Sequence, residues 1–298
     1  MDKAATPYSK TAPLVFAVVV NWNSRTNLLE CLDSLEKVDY PRSNLEILVV
    51  DNGSTDGSKR GLDREHPRVT LLENRDNLGY VKAANRGIEF ALARGADYVW
   101  ILNNDVVVDR DSLSNMVDAG ESQESIGVIG PVVYKYFDPE NAENCGYRVD
   151  FWTGRLKKLR FGKDVFSSRA RHLEDVESNM GCSNLVKSKV FERIGLLNPA
   201  YEIYFEETDF NVRARRDGFR VVVVREARVW HKVAATMNNF IFRRAYLLLR
   251  NLLVFQYLNA RPWHLVVFIP YFFLLHIPYF LIYGSIYGMK IRLPKFRA

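Results

Sequence analysis

Three consecutive residues with oxygen-bearing side chains, Asn103-Asn104-Asp105, follow an apolar run in this 298-residue chain. Carboxylate and amide oxygens are suitable ligands for Mg²⁺ or Mn²⁺ that is already coordinated by phosphate. One carboxylate makes a weak metal site by itself, so an ion here would bind mainly as a complex with a diphosphate and would neutralise a leaving group. The competing interpretation is that Asp105 caps a helix or forms a turn.

A second group of acids, Glu206, Glu207 and Asp209, occurs in the sequence YFEETDF. Crowded carboxylates repel one another, which raises the pKa of at least one of them, as a general base requires. The same residues also suit an ordinary helix with acids in its first turn and an Asp209–Arg213 pair one turn apart. His231, which follows an apolar run, is a third candidate as a metal ligand, although a lone histidine more often serves packing.

These groups need a scaffold, and the hydrophobic pattern of the first half predicts one. Apolar, β-branched runs predict strands at 14–20, 45–50, 69–72 and 98–102, and helical spacing occurs at 28–35 and 80–92. This alternation is typical of a parallel sheet covered by helices. Ligands bind such sheets at the carboxyl ends of the strands. Polar clusters follow all four strands, starting at Asn21, Asp51, Asn74 and Asn103.

The second half of the chain has a weaker pattern. It predicts strands at 128–134 and 220–224, helices at 185–194 and 209–216, and a long, irregular insertion at 136–177. No internal repeat or low-complexity tract is visible.

Composition and motifs exclude several classes of protein. The chain has no phosphate-binding P-loop, no GxGxxG, no HExxH and no GxSxG sequence. Its net charge of +6 could serve nucleic acid, anionic lipid or a diphosphate, but the basic residues form no stripe interleaved with aromatics, which disfavours a nucleic-acid partner. Cys31, Cys145 and Cys182 are widely spaced, which favours a reducing compartment. We also see no signal peptide at the N-terminus.

The C-terminal part of the chain is an apolar segment. No Asp, Glu, Lys or Arg occurs over 262–289, which is long enough to cross a hydrocarbon core of about 20 residues. Pro270 and Pro278 interrupt the segment, and basic residues on both sides conflict with a simple span. We therefore expect a broken, re-entrant or interfacial helix on the cytoplasmic face of the membrane. A single span, a buried helix pair and a homodimer interface are the alternatives. The flanking basic residues are Arg243, Arg244, Arg250, Arg261, Lys290, Arg292, Lys295 and Arg297.

Five ordered motifs resemble the inverting family-2 glycosyltransferases of GT-A fold, especially the rhamnosyltransferase-like branch. The motifs are VVVNWNSRTNLLECLDSL at 18–35, VVDNGSTDGS at 49–58, NRDNLGYVKAANRGI at 74–88, LNNDV at 102–106 and YFEETDF at 204–210. The resemblance covers about 13–250. It implies an α/β fold with a mostly parallel central sheet and flanking helices.

The resemblance also implies roles on the donor side. Trp22 would stack on the nucleotide base, Asp51 would hydrogen-bond the base, and Asn77 and Gly79 would lie along the donor. The segment from Asn103 through Asn104 to Asp105 takes the place of the family's DxD motif, with Asn in the first position. Asp105 would bind the divalent ion, Mn²⁺ or Mg²⁺, and His231 would complete its ligand shell.

On the acceptor side, the resemblance makes Glu207 the base that deprotonates the acceptor hydroxyl, with Asp209 as the alternative. The family's base is Asp, so Glu207 is one methylene longer. Gly181, Cys182 and Glu206 would line the acceptor site, and Cys182 is better interpreted as a small packing residue than as a nucleophile.

The domain organisation follows from the same resemblance. We expect a flexible N-terminus at 1–12 and a catalytic domain at 13–240, with a nucleotide-binding half at 13–108 and an acceptor half at 109–240. A membrane-associated helical segment would occupy 241–298. The implied function is metal-dependent, inverting transfer of a sugar from dTDP-rhamnose or a UDP-hexose to a saccharide or lipid-linked acceptor in polysaccharide synthesis. The alternative is a non-catalytic sugar-nucleotide-binding or scaffold protein of the same fold.

Overall fold

A computed structural model describes residues 12–159, 173–232 and 241–282 of the chain. The strands are β1 (Val15–Asn21), β2 (Leu45–Asp51), β3 (Val69–Glu73), β4 (Tyr98–Asn103), β5 (Val106–Val108), β6 (Ile126–Lys135), β7 (Asp138–Asn144), β8 (Tyr147–Asp150), β9 (Arg155–Lys158), β10 (Leu173–Asp175), β11 (Ser183–Lys187) and β12 (Arg220–His231). The helices are α1 (Arg25–Leu35), α2 (Leu62–Glu65), α3 (Tyr80–Leu92), α4 (Ser112–Ser122), α5 (Ser188–Ile194), α6 (Glu206–Arg216), α7 (Ile241–Asn259) and α8 (Pro262–Tyr271). A 3₁₀ turn occupies Arg42–Asn44.

One large sheet organises these elements, with the strand order β10-β12-β6-β11-β4-β1-β2-β3. The neighbours β4, β1, β2 and β3 are parallel, as their apolar sequences predict. However, β11 runs antiparallel to both β4 and β6, so the sheet is mixed. The carboxyl ends of β1, β2 and β4 consequently lie side by side at one edge.

The core consists of two apolar layers, one on each face of the sheet. Side chains alternate along β1, so Val19 faces the layer that contains α1 and α4, and Val18 faces the layer that contains α3 and α6. Gly87 lets α3 approach the sheet closely, because a Cβ atom there would lie 2.3 Å from Cγ1 of Val18. Both faces of the parallel strands are therefore covered, which confirms the expected α/β architecture.

The second half of the chain differs from its sequence pattern in two places. Residues 185–187 belong to β11, so the helix predicted at 185–194 is α5 and starts only at Ser188. The segment predicted as an irregular insertion contains β7, β8, β9 and β10; β7 pairs with the preceding β6 and β8 with β9, whereas β10 pairs with the distant β12. Short strands with irregular register leave little periodicity in the sequence. Residues 160–172 of that segment lie outside the described residues.

Residues 262–282 of the C-terminal part are helical and largely exposed. Among the described residues, the helix over 262–282 is the one that is long and apolar enough to cross a membrane, and 11% of its most apolar window is buried. Five residues of π-helix, Phe272–His276, interrupt it next to Pro270. Phe268 and Phe272 attach this helix to the body of the protein, and Nε2 of His276 lies 2.7 Å from the carbonyl oxygen of Thr153. The expected basic cluster beyond 282, the domain boundary at 240 and residues 1–11 lie outside the described residues.

Candidate functional site

The ends of three neighbouring strands are joined by side-chain hydrogen bonds. Asn104, after β4, donates to Oδ1 of Asn21 over 2.7 Å, and Nδ2 of Asn21 at the end of β1 lies 3.2 Å from Oδ1 of Asp51 and from Oγ of Ser54. Asp51, at the end of β2, also accepts from the backbone N–H of Ser54 over 3.0 Å. The polar residues that the sequence predicts at this edge therefore form one connected network.

Within this network Asp51 and Trp22 are placed differently. Asp51 is 1% exposed and both of its carboxylate oxygens accept bonds from the protein, so it orders the loop after β2. Trp22 follows Asn21 directly and is half-buried at the same edge.

The loop between β3 and α3 is held by Asn52. The side chain of Asn52 donates to Oδ1 of Asn77 over 2.9 Å and accepts from Nδ2 of Asn74 and the backbone N–H of Leu78. Oδ1 of Asn77 also accepts from the N–H of Gly79, whose φ of 82° suits glycine. Asn77 and Gly79 thus shape the loop at the start of α3.

Asp105 and His231 form a close pair. Nε2 of His231 lies 3.2 Å from Oδ1 of Asp105, and the side chains are 9% and 14% exposed, respectively. Strand pairing causes this proximity, because β12 runs antiparallel to β5 with His231 opposite Val106. The backbone N–H of Lys232 also donates to the carbonyl oxygen of Asp105 over 3.0 Å.

The ligand atoms that this pair offers suit a divalent ion that is already coordinated by another group. A carboxylate oxygen and an imidazole nitrogen converge, and Nδ1 of His231 is buried without a hydrogen-bond partner. No cluster of three or more His, Cys, Asp or Glu side chains suited to a metal occurs within 12–159, 173–232 and 241–282. The pair therefore fits an ion that receives its remaining ligands from a phosphate group.

Glu206 and Glu207 occupy the first turn of α6. Burial, followed by repulsion from Glu207, raises the pKa of Glu206 well above its usual value, and Oε2 of Glu206 has no partner. Burial also raises the pKa of Glu207, although the N–H groups of Glu207 and Thr208 and the Thr208 hydroxyl partly oppose that rise. Both carboxyl groups line a small cavity of about 20 Å³, which is enough for a single water molecule.

Asp209 has a different environment from its two neighbours. It is 1% exposed; its Oδ2 accepts from Nε of Arg213 over 2.8 Å, and its Oδ1 accepts from Nδ2 of Asn259 over 2.8 Å. The hydroxyl of Tyr201 lies 3.4 Å from the same Oδ1. These partners satisfy the carboxylate and give Asp209 a structural role between α6 and α7.

A short path of contacts connects the acidic helix α6 to the pair of Asp105 and His231. The N–H of Asn103, two residues before Asp105, donates to the carbonyl oxygen of Cys182 over 3.0 Å. The adjacent Gly181 packs against Glu207, since a Cβ atom on Gly181 would lie 3.1 Å from Cγ of Glu207. The carboxylates of Asp105 and Glu207 therefore belong to the same edge of the sheet.

Glycosyl transferase family 2 is the family whose sequence profile matches this chain, over residues 16–179. The chain belongs to this family. It is accordingly a glycosyltransferase, and the matched region contains the network at the strand ends, Asp105 and the end of β4.

Curated relatives and a solved structure agree with this assignment. The chain is 28% identical over 216 residues to an N-acetylglucosaminyl-diphospho-decaprenol L-rhamnosyltransferase of Mycobacterium tuberculosis, covering 64% of this chain and 67% of the relative. It is 24% identical over 206 residues to the low-salt glycan biosynthesis hexosyltransferase Agl10 of Haloferax volcanii, covering 68% of this chain and 62% of that protein. The chain thus spans about two thirds of the length of these relatives.

The fold matches that of the mannosyltransferase PcManGT from Pyrobaculum calidifontis, which was solved in complex with GDP-Man and Mn²⁺. The TM-score is 0.64 at 20% identity, with coverage of 96% of this chain and 77% of that one. This similarity confirms the GT-A fold that the sequence motifs imply.

Three residues at this candidate site have contacts that the sequence does not reveal. Asn21 and Asn52 connect the loops, and Tyr80 lies where the carboxylates of Glu206, Glu207 and Asp105 all act on its hydroxyl. Burial and then these charges raise the pKa of Tyr80 well above its usual value. The sequence signal that could have identified these residues is their position, because each of them lies at a strand end or begins a helix at the same edge of the sheet.

Cys182 is a buried free thiol beside the site. Burial, and then the Asp105 carboxylate, raises its pKa well above the usual value, so the thiol stays protonated. This environment agrees with a packing role rather than a nucleophilic one. Cys31 and Cys145 are also buried and free.

Proposed function

We propose that the chain catalyses metal-dependent, inverting transfer of a sugar from a nucleoside diphosphate to a lipid-linked saccharide at a membrane surface. The observation that carries this proposal is the path from Asp105 through Asn103 and Cys182 to Gly181 and Glu207, described above. Inverting transfer requires one base on the acceptor side and positive charge on the leaving-group side. The chain offers these two functions from separate elements at one edge.

The leaving-group side is assigned to Asp105 and His231. These residues would hold a Mn²⁺ or Mg²⁺ ion, which when bound supplies positive charge to the departing diphosphate. The Mn²⁺ in the solved structure of PcManGT supports a divalent ion in this fold. Asn103 and Asn104 would contribute amide groups near the diphosphate, while Asn104 also braces Asn21.

The acceptor side is assigned to Glu207. Its carboxylate would accept the proton from the attacking hydroxyl as that oxygen bonds to the anomeric carbon and the nucleoside diphosphate leaves. Burial raises the pKa of Glu207, which increases its basicity for this transfer. Gly181, Cys182 and Glu206 would line the acceptor site, and Asp209 would hold the helix rather than act as the base.

The nucleotide would lie along the connected loops after β1, β2 and β3. Trp22 would stack on the base, Asp51 would order the loop that contacts it, and Asn77 and Gly79 would shape the wall beside the diphosphate. The names of the two curated relatives favour a rhamnosyl or hexosyl donor, so we propose dTDP-rhamnose or a UDP-hexose.

A lipid-linked acceptor is supported by the relatives and by the exposed C-terminal helix. The Mycobacterium tuberculosis relative is named for a saccharide carried on diphospho-decaprenol. The helix over 262–282 exposes a continuous set of large apolar side chains, which would seat the enzyme at the cytoplasmic face of a membrane. Exposed members of this set are Val266, Ile269, Phe273, Leu274, Tyr279 and Leu281.

The test is sugar transfer by full-length protein with a panel of nucleotide sugars and Mn²⁺ or Mg²⁺. Glu207→Gln and Asp105→Ala should each lower kcat by about 100-fold or more, because each removes one of the two required functions. Glu192→Gln, an exposed glutamate on α5, is the matched control and should behave as wild type. Near wild-type transfer by both site variants would contradict the proposal. Donor binding without turnover by the wild-type protein would instead indicate a non-catalytic binding protein.

A further inference from the structure

The two residues before α6 have an unusual backbone conformation. Tyr204 and Phe205 have φ values of 73° and 69°, respectively, in the left-handed region. This region is unfavourable for residues with a Cβ atom, and it persists only where surrounding contacts hold it. Because Glu206 and Glu207 follow directly, the direction of both carboxyl groups depends on this two-residue bend.

Helix α7 contacts the bend through a buried asparagine. Asn251 is fully buried, and its Nδ2 donates to the carbonyl oxygens of Ile203 and Tyr204 over 2.8 and 3.0 Å. Nη1 of Arg250 donates to Oδ1 of Asn251 over 2.8 Å. That bond fixes the orientation of the amide, so both of its N–H groups face the bend.

Two further residues on the same face of α7 extend the contact. Phe255, four residues after Asn251, packs on the ring of Phe205 with a centroid distance of 5.5 Å. Asn259, a further four residues along, donates to Asp209 in α6 and accepts from Nη1 of Arg216 over 3.1 Å. Residues four apart lie on one face of a helix, so α7 supports the bend and the first turn of α6 along a single stripe.

We propose that α7 positions the catalytic helix and that Asn251 is a positioning residue for Glu207. By bonding the carbonyl groups of the left-handed bend, Asn251 sets the direction in which α6 starts and thus where the Glu207 carboxylate lies. There is little tolerance for displacement, because Gly181 packs directly against the Glu207 side chain. The proposal rests on the proposed role of Glu207 as the base.

The principal test is Asn251→Ala in the full-length protein. We expect kcat to fall by about 10- to 100-fold, the size of effect that follows from misplacing a reacting group by about 1 Å, with the donor KM within about threefold of wild type. The acid limb of the kcat–pH profile should also move to lower pH, because a displaced Glu207 becomes more hydrated. Partial unfolding alone would lower kcat at every pH without moving that limb.

Asn115→Ala is the matched control. Asn115 is also a helical asparagine that donates to a backbone carbonyl, that of Glu226 over 3.4 Å, but it lies in α4. Its kcat and pH profile should stay at wild-type values. Equal kcat for Asn251→Ala and Asn115→Ala would overturn the positioning role.

A double-mutant cycle with Tyr204→Gly tests the mechanism of positioning. Glycine adopts positive φ freely, so the bend should depend less on the hydrogen bonds from Asn251. The loss of kcat caused by Asn251→Ala should therefore shrink to about threefold or less in the Tyr204→Gly background. An equal loss in both backgrounds would overturn the proposal. If Asn251→Ala does not fold, Phe255→Leu serves instead: we expect a several-fold loss of kcat with unchanged donor KM, and wild-type kcat would overturn the proposal.

Failure of the proposed function is distinguishable from failure of this inference. Activity of the Glu207→Gln variant would show that Glu207 is not the base, and the proposed reason for positioning its side chain would then be lost. An inactive Glu207→Gln variant together with a fully active Asn251→Ala variant would reject the positioning role alone.

Discussion

Nε2 of His231 lies 3.2 Å from Oδ1 of Asp105 because the last residue of β12 is paired with the first residue of β5. Backbone hydrogen bonds therefore set the separation of the two side chains, and neither depends on a flexible loop. Under the proposed function both residues would serve as ligands to the divalent ion, which makes the metal requirement testable.

We predict that His231→Gln raises the Mn²⁺ concentration needed for half-maximal transfer by about tenfold or more. Even partners that only orient metal ligands change affinity by roughly 10- to 100-fold, so loss of a ligand should have at least this effect. The measurement is a Mn²⁺ titration of the initial rate at saturating donor. His66→Gln is the control, because His66 also bonds a carboxylate, Glu36, but away from the site. Identical titrations for wild type and His231→Gln would exclude His231 as a ligand.

Asp209→Asn should separate a structural carboxylate from the proposed catalytic one. Asp209 is buried against Arg213 and Asn259, and removing its charge should lower the free energy of unfolding by ~2 kcal/mol, or Tm by roughly 4–8 °C. Asn retains an oxygen that accepts from Asn259, so kcat measured well below Tm should stay within about tenfold of wild type. Glu207→Gln should do the reverse, lowering kcat by about 100-fold or more without lowering Tm. Loss of transfer by Asp209→Asn with an unchanged Tm would make Asp209 the base.

Glu206→Gln should stabilise the protein at neutral pH. The pKa of Glu206 is raised in the folded state, so above the usual value of about 4.5 the unfolded chain releases this proton more readily than the native protein does, which lowers stability. The variant should gain on the order of 1 kcal/mol in free energy of unfolding at pH 7–8, and this gain should shrink as pH falls and vanish below about 4.5, where both states are protonated. Urea unfolding across this pH range is the measurement, with Glu192→Gln as an exposed control. A gain that grows on acidification would contradict the assignment.

The acid limb of the rate profile should report on Glu207. Its pKa lies above the usual value of a glutamate, so kcat should begin to fall on acidification at a pH above about 4.5, when the base becomes protonated. Glu206 has the higher pKa and stays protonated while Glu207 loses its proton, so Glu206→Gln should leave this limb in place. The profile is measured with donor and acceptor both saturating. A limb at or below about pH 4.5 would show that the buried Glu207 does not control it.

Much of the site could be predicted from the sequence because it depends on strand ends. Asn21, Asp51 and Asn103 are the last residues of mainly apolar strands of six or seven residues, and parallel strands bring such ends together wherever the loops lead. The apolar signal of these strands is strong because they are buried on both faces and therefore read as near-continuous hydrophobic runs. The predicted strands in this half agree closely with β1, β2, β3 and β4.

Other features could not be predicted because they arise from long-range contacts. The antiparallel insertion of β11 between β4 and β6 leaves no local pattern, which is why 185–187 resembled the start of a helix. The Asp209–Asn259 bond and the Asn251 contacts join residues about 50 positions apart in sequence. Asp209 appeared to be a candidate base beside Glu207 because sequence alone does not show which carboxylate faces a partner.

The exposed C-terminal helix leads to a prediction about membrane binding. Phe273 and Leu274 are 62% and 73% exposed, whereas Phe268 and Phe272 on the same helix pack against the protein. Replacing both exposed residues by serine should therefore weaken binding to vesicles that contain anionic lipid by roughly tenfold or more, because two large apolar side chains no longer enter the interface. Tm and the kcat for a water-soluble acceptor analogue should stay unchanged, while the rate with a lipid-linked acceptor falls.

Phe137→Ser is the matched control for this prediction, because Phe137 is 84% exposed but lies in the turn between β6 and β7. It should co-sediment with vesicles as wild type does, since only apolar groups on the C-terminal helix would enter the lipid. The homodimer alternative gives a different result: wild type would sediment as a dimer without lipid, and the Phe273→Ser, Leu274→Ser variant would sediment as a monomer. Vesicle binding that is unaffected by this double substitution would place the membrane contact elsewhere on the chain.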